Sequence, residues 1–330
     1  MIARVGFACK IQKSQGVAEP KLNTKATTIT WLQRQTNDQA YARLYELAKH
    51  NLQALRGQLE YISKLPPNRR MFRMSSDLLT AYTHEDYAWC YQELDMQNLL
   101  EREFAKLGEF ARQHDIRLSF HPGQFCVLAS ESAITRENSI YEFEYHVDII
   151  RWMGFGKEFQ DFKCNVHIGG KLGPEGIKQA VKHLSKEARN CLTIENAEFT
   201  WGLQHSLELV DTCALVLDIH HHFIMTGEYI DPSDWRIQKL QDSWRGCRPV
   251  VHYSVSRPEV LDGLFTDSRP DLKDCLSRGI TKTKLRAHSD FYWNQQCNEW
   301  AAKHLSWADL MLESKEKNLA ASEFCKAIKF

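Results

Sequence analysis

Residues 164–167 read CNVH, 191–195 read CLTIE and 215–218 read LVLD; each is a short apolar run that closes on an imidazole or a carboxylate. Runs of this length, apolar at consecutive positions, suit strands buried on both faces of a parallel sheet. Outward from them the pattern recurs at Ala3–Phe7, Met71–Met74, Leu118–His121, Val250–His252 and Leu310–Glu313, which makes eight runs. Helical stretches lie between. Leu44, Leu47, Leu52, Leu55, Leu59 and Ile62 form a stripe near the 3.6-residue period, stopped by Pro66 and Pro67. Met96, Leu100, Phe104, Leu107 and Ala111 form a second stripe, and weaker ones cover 137–156, 174–189, 203–212, 231–242, 293–305 and 316–328.

Strand and helix alternate from end to end, which selects the α/β class, and eight such units predict a (β/α)8 TIM barrel. An open doubly wound sheet would carry a glycine-rich phosphate turn after its first strand. Here the first run leads into GFACKIQ, with no G-x-G-x-x-G. No shift in composition, repeat or low-complexity tract divides the chain, so a single domain over 1–330 is expected. Its one long loop, 253–307, lies between the seventh and eighth barrel strands.

Composition narrows the class of function. The 330 residues carry 42 basic and 42 acidic side chains, so the net charge is zero and any polyanion must be met by a local patch. Mean hydropathy is −0.47. No stretch approaches the roughly 18 apolar residues of a membrane span, and Arg4 and Lys10 interrupt what a secretory signal would need. The ten cysteines are scattered without a C-x-x-C pair, as expected of reduced thiols in a cytoplasmic protein.

The chemistry is read from where the runs end. His121, His167, Glu195, Asp218, His252 and Glu313 close six consecutive runs. In a (β/α)8 barrel these positions converge on one mouth, where active sites lie. Imidazoles and carboxylates are the ligand set of zinc, manganese or iron, and a shared carboxylate bridges two ions. Carboxylates crowded together without a cation would repel one another. In LDIHHHF, Asp218 ends a strand and His220, His221 and His222 are expected to begin the loop, one turning inward while the others support it through hydrogen bonds.

The segments FRMSSDLLTAYTH, LSFHPGQF, NVHIGG, TIENAE, LDIHHH, VVHYS, RAHSDF and LMLESKEK, in that order, resemble the ultraviolet-damage endonucleases. That family is a metal-dependent (β/α)8 branch of the superfamily of endonuclease IV and xylose isomerase. The resemblance implies up to three divalent ions, manganese in the first instance with zinc as the alternative. It places His84, His121 and His167 on one ion with Glu195 shared; Glu195, Asp218, His252 and Glu313 on the second; and His221 with His288 on a third. Glu195, Asp218, His252, His288 and Glu313 would then carry the catalysis. Gln124 and Phe125, the two residues after HPG, would probe the duplex, and Phe7 would add an aromatic contact. Lys282, Lys284 and Arg286 form a basic cluster that could meet phosphates.

Departures stand beside the resemblance. The family pattern has a lysine two residues before the seventh-strand histidine, whereas this chain has Val250, so a contribution from that lysine is expected to be absent. Ala197 and Thr80 replace an acidic residue and a proline of the pattern. The implied activity is DNA repair, by nicking immediately 5′ of ultraviolet photoproducts with metal-activated hydroxide to leave a 3′-hydroxyl and a 5′-phosphate. The resemblance implies damaged double-stranded DNA as the partner with no membrane involved, and the protein is expected to be a cytoplasmic monomer, at the nucleoid when acting on DNA. Rival readings are an apurinic-site endonuclease or sugar isomerase on the same scaffold, or a damage-binding protein without turnover.

Overall fold

A computed structural model describes residues 2–330. Ten strands are present: β1 (Val5–Ala8), β2 (Gln12–Ser14), β3 (Val17–Ala18), β4 (Met71–Arg73), β5 (Arg117–Phe120), β6 (Lys163–His167), β7 (Leu192–Glu195), β8 (Ala214–Asp218), β9 (Val250–Tyr253) and β10 (Asp309–Leu312). Eight close a barrel in the order β1-β10-β9-β8-β7-β6-β5-β4, and β2 and β3 form a separate hairpin. Each barrel strand pairs in parallel with its neighbours. The (β/α)8 expectation is met, and each of the eight predicted runs overlaps one barrel strand.

Register turns those strands into a site. His167 lies opposite Glu195, and Asp218 lies opposite His252. Side chains alternate along a strand, so residues two apart share a face. Val250 therefore shares the lumen with His252, Val216 with Asp218, and Met311 with Glu313. Those apolar partners pack below the mouth with Ala8, Met71, Ala214 and Trp244. On β6 and β7 the equivalent positions are polar: Lys163, Asn165 and Thr193, all buried. The lumen is apolar on one side and hydrogen-bonding on the other.

The outer layer follows from capping and stripes. Thr36 and Gln39 form a capping box at the start of the helix Asn37–Ser63, and its predicted apolar stripe is buried. The stripe of the helix Leu94–Gln113 is likewise buried. Ser132 caps the next helix at Ala133, earlier than expected, because its side chain accepts from Thr135 N. The stretch 174–189 is two helices, since Ser185 starts a new one at Lys186. The loop expected at the histidine triplet is a helix, Ile219–Thr226, because the Asp218 carboxylate accepts from His221 N and caps it. The long connection 253–307 holds four short α-helices and one 3-10 turn, and returns to the mouth through a bridge between Ser256 and His288. Among the described residues, no helix is long and apolar enough to cross a membrane.

Two helices approach closely at Gly108, where a Cβ would lie 1.9 Å from the Met153 carbonyl oxygen. Backbone cannot yield as a side chain can. Gly108→Ala is expected to lower unfolding free energy by at least about 2 kcal/mol in urea denaturation; unchanged stability would mean that the helices separate freely.

Candidate active site

At the carboxyl ends of the strands, one carboxylate lies at the centre. Glu195 Oε2 is 3.0 Å from His252 Nδ1 and 3.3 Å from His121 Nε2, and Oε1 is 3.5 Å from His221 Nδ1 and 4.0 Å from His167 Nδ1. His252 Nδ1 is also 3.2 Å from Glu313 Oε1, and His221 Nδ1 is 3.8 Å from Asp218 Oδ2. Three sets bring ligand atoms within 4.8 Å of one another: His121, Glu195 and His252; His167, Glu195 and His221; and Asp218, His252 and Glu313. Glu195 and His252 each belong to two.

Three converging atoms lack any hydrogen-bond partner although buried: Glu195 Oε1, Asp218 Oδ2 and His252 Nδ1. Buried polar atoms of native proteins are almost always satisfied by protein, ordered water or a bound ion. These atoms are also the types that bind zinc and manganese. The donor set fits divalent cations.

Other contacts aim the ligands. The His121 ring places Nδ1 3.0 Å from Pro122 O, leaving Nε2 toward Glu195. Lys163 Nζ lies 3.0 Å from His252 Nε2, leaving Nδ1 toward the carboxylates. Asn165 Nδ2 donates to Glu195 Oε2, and Thr193 Oγ1 donates to Asn165 Oδ1 at 2.7 Å. Arg73 Nη1 donates to Glu313 Oε1. Asn196 latches the ends of β7 and β8, donating to Asp218 O at 3.0 Å and accepting from Asp218 N at 2.9 Å. In the histidine triplet only His221 turns to the cluster. His220 Nε2 meets Leu285 O at 3.2 Å, and His222 Nε2 meets Glu228 Oε2 at 2.9 Å. Such outer partners orient metal-binding groups.

Electrostatics follow from burial and crowding. Burial raises the Glu195 carboxyl, but the His252 and His167 imidazoles outweigh it and hold the group well below its ordinary value. Arg73 does the same for Glu313. Burial lowers His252 to about 4 and pushes Asp218 upward. Burial also opposes charge on His221, yet Asp218 and Glu195 prevail and lift it to about 9. Burial takes the Lys163 ammonium down to about 7.

Comparison with known proteins gives the context. The family described as UV-endonuclease UvdE matches residues 3–330. The chain belongs to the UvdE family. A UV DNA damage endonuclease of Bacillus thuringiensis subsp. konkukian is 24% identical over 318 residues, covering 92% of this chain and 89% of that one. A UV-damage endonuclease of Schizosaccharomyces pombe is 26% identical over 340 residues, covering 98% of this chain and 50% of that one. The crystal structure of SacUVDE superposes with a TM-score of 0.75 at 22% identity, covering 99% of this chain and 98% of that one, which shows the same fold.

Against this UvdE membership, the residues expected at the site divide. His121, His167, Glu195, Asp218, His221, His252 and Glu313 are brought together. His221, expected to support a third ion, brings a ligand atom within 4.8 Å of those of His167 and Glu195, because the Asp218-capped helix turns it inward. His84 is outside the clusters; its Nδ1 accepts from Asp86 N at 3.2 Å and its ring lies over Tyr87. His288 is also outside them, although the contact of its Nδ1 with Glu313 O at 2.8 Å keeps it at the mouth. Gln124 and Phe125 are exposed on the loop after β5. Phe7 is not: it lies within β1, packs edge-on against Phe72 and is 1% exposed, so it offers no ring to a duplex.

The basic cluster divides in the same way. Lys282 donates to Met225 O at 2.8 Å, at the end of the helix Ile219–Thr226. Arg286 pairs with Glu198 at 2.8 Å and lies 5.2 Å above the Phe199 ring. Lys284 alone has no carboxylate or carbonyl partner among the described residues. At position 250 there is no lysine to contribute. Val250 packs in the lumen, but Lys163 brings an amine to the same histidine from β6. Lys163 and Asn165 escaped notice in the sequence, although K-x-N-x-H puts both on the face of His167.

Because Asp218 and Glu195 outweigh burial and lift the imidazole to about 9, His221 is expected to hold a proton at pH 7, and a cation bound through it to displace that proton. Raising the pH toward 9 removes the competition, so affinity should rise by up to tenfold per pH unit below that value. Calorimetry of manganese binding in two buffers of different ionisation enthalpy should show release of about one proton at pH 7, and His221→Gln should abolish it. Binding without proton release would remove His221 from the ligand set.

Proposed function

We propose that this protein is a metal-dependent endonuclease that nicks double-stranded DNA immediately 5′ of ultraviolet photoproducts, leaving a 3′-hydroxyl and a 5′-phosphate. The observation that carries the reading is the convergence of unpartnered ligand atoms on Glu195 in a chain that matches the UvdE family over residues 3–330. The relatives named as UV DNA damage endonucleases supply the substrate. Manganese is the proposed metal and zinc the alternative. The 1–330 chain acts as one domain and as a monomer, in the cytoplasm at the nucleoid.

Divalent cations at such a site polarise a phosphodiester and acidify water near neutral pH. His121, His167, Glu195, Asp218, His221, His252 and Glu313 would hold them, with His288 facing the same mouth. Asn165 and Thr193 fix the Glu195 carboxylate so that it does not rotate as charge develops. Arg73 places positive charge behind Glu313, and the Lys163 amine holds the His252 ring from behind. Outside the cluster, Phe125 is 83% exposed four residues after His121, a position from which a ring can enter a base stack. Gln124 offers its amide beside that ring. A lesion weakens stacking and lowers the cost of opening, which supplies the selectivity. Lys284 is the residue of the basic cluster free to meet a phosphate.

Irradiated supercoiled plasmid with manganese should be nicked and intact plasmid spared, with chelator stopping the reaction. Glu195→Gln should abolish nicking while damaged duplex still binds, because the amide cannot offer two anionic oxygens. Phe125→Ala should weaken binding of photoproduct duplex by about tenfold without loss of metal. Equal nicking of irradiated and intact plasmid would overturn the reading.

A further inference from the structure

One element of the mouth buries nothing. The hairpin of β2 and β3 follows β1, and none of its five strand residues is buried. An isolated pair of strands is marginal in water. Here it is clamped from beneath. Asn318 accepts from Gln12 N at 2.7 Å and donates to Gln12 O at 3.1 Å, and the Glu316 carboxylate accepts from Gly16 N at 3.0 Å. Asn23 holds Ile11 in the same way, accepting from its N at 3.0 Å and donating to its O at 2.9 Å. Asn23, Glu316 and Asn318 are themselves buried. Buried side chains thus fix a segment that adds nothing to the core, so what they serve is its exposed surface.

That surface is basic. Residues 9–35 hold Lys10, Lys13, Lys21, Lys25 and Arg34 against a single acidic residue, Glu19, in a chain whose 42 basic and 42 acidic side chains balance. All five cations are exposed. Among the described residues, none of them pairs with a carboxylate or a carbonyl. The contrast is with the cluster at 282–286, where Lys282 and Arg286 are both engaged. An exposed lysine is commonly no more than solvated, but Lys10 and Lys13 stand on a clamped element beside the ligand cluster. Glu316 follows Glu313 by three residues, which ties the hairpin to the end of β10. In the barrel, β1 stands two strands from β5, whose loop carries Gln124 and Phe125.

We infer that the hairpin grips backbone phosphates of the duplex flanking the lesion, through Lys10 and Lys13, and holds the DNA without reading its bases or its damage. The inference rests on the proposed function. Phosphate contacts position a protein on a duplex, whereas selectivity comes from groups that reach the bases. Ser14 and Gln15, between the two strands, add a hydroxyl and an amide of the kind that bonds phosphate oxygens. A chain without net charge meets a polyanion through a local patch, and this is one that its own carboxylates leave unpaired.

The test measures binding of the manganese-loaded full chain to photoproduct and intact duplexes across a range of salt, with an uncleavable linkage at the nick position. Lys10→Gln combined with Lys13→Gln should make the slope of log affinity against log salt shallower by about 1.8, or about 0.9 per phosphate contact. The change should be equal on both duplexes, so that the preference for damage is kept. Lys10→Arg with Lys13→Arg should retain the wild-type slope, because charge is what the hairpin supplies. Duplexes shortened stepwise from each end should reach, on one side only, a length at which wild type and the glutamine variant bind alike. Both positions are exposed, and circular dichroism and metal content should match wild type. If the glutamine variant keeps the wild-type slope, loses the preference for damage, or differs from wild type at every duplex length, the inference falls while the nicking activity stands. If wild type binds irradiated and intact duplex alike, the proposed function fails, and the slope still decides whether the hairpin holds phosphates.

Discussion

Glu195 is a carboxylate with no solvent exposure, ringed by four imidazoles. An ion taken out of water is stable only if opposite charge and hydrogen bonds surround it closely. The imidazoles and the Asn165 amide surround it closely, but one oxygen is left without a hydrogen-bond partner. Much of the polar architecture around the mouth follows from this constraint. It explains why the lumen beneath β6 and β7 is polar where the rest is filled by alanine, valine and methionine, and why Arg73 crosses from β4 to reach Glu313.

The barrel keeps two tasks on separate elements. Ligands sit at strand ends, where parallel pairing fixes their spacing to within the pleat of the sheet. Exposed rings and amides sit on the loop after β5 and on the adjoining helix, where they can meet a large partner without disturbing the ligands. The tie between them is short, since His121 and Phe125 share one loop. Adjustments of that loop reach both the ligand cluster and the exposed ring.

The long connection before β10 acts as a brace. Lys282 caps the end of the helix that presents His221, His220 holds Leu285 O, and the Ser256–His288 bridge returns the chain to the mouth. Arg286 joins this connection to the loop after β7 through Glu198 and Phe199. Positive charge that reads as a phosphate patch along the chain is spent largely on holding the mouth together.

The sequence by itself determined the barrel and most of its mouth. Eight apolar runs separated by helical stripes leave few ways to bury both faces of every strand, and a polar residue closing such a run can only emerge at the strand end. His121, His167, Glu195, Asp218, His252 and Glu313 were legible for that reason. Only the tertiary structure decided which of them share an ion-sized space, because that depends on register between strands distant in sequence. It turned His221 inward through the Asp218 cap, left His84 outside the clusters and buried Phe7 in β1. It also brought the Lys163 ammonium across the lumen to His252, three barrel strands away. Local pattern records which face a side chain takes, but which distant group it meets across a closed sheet is set by the closure itself.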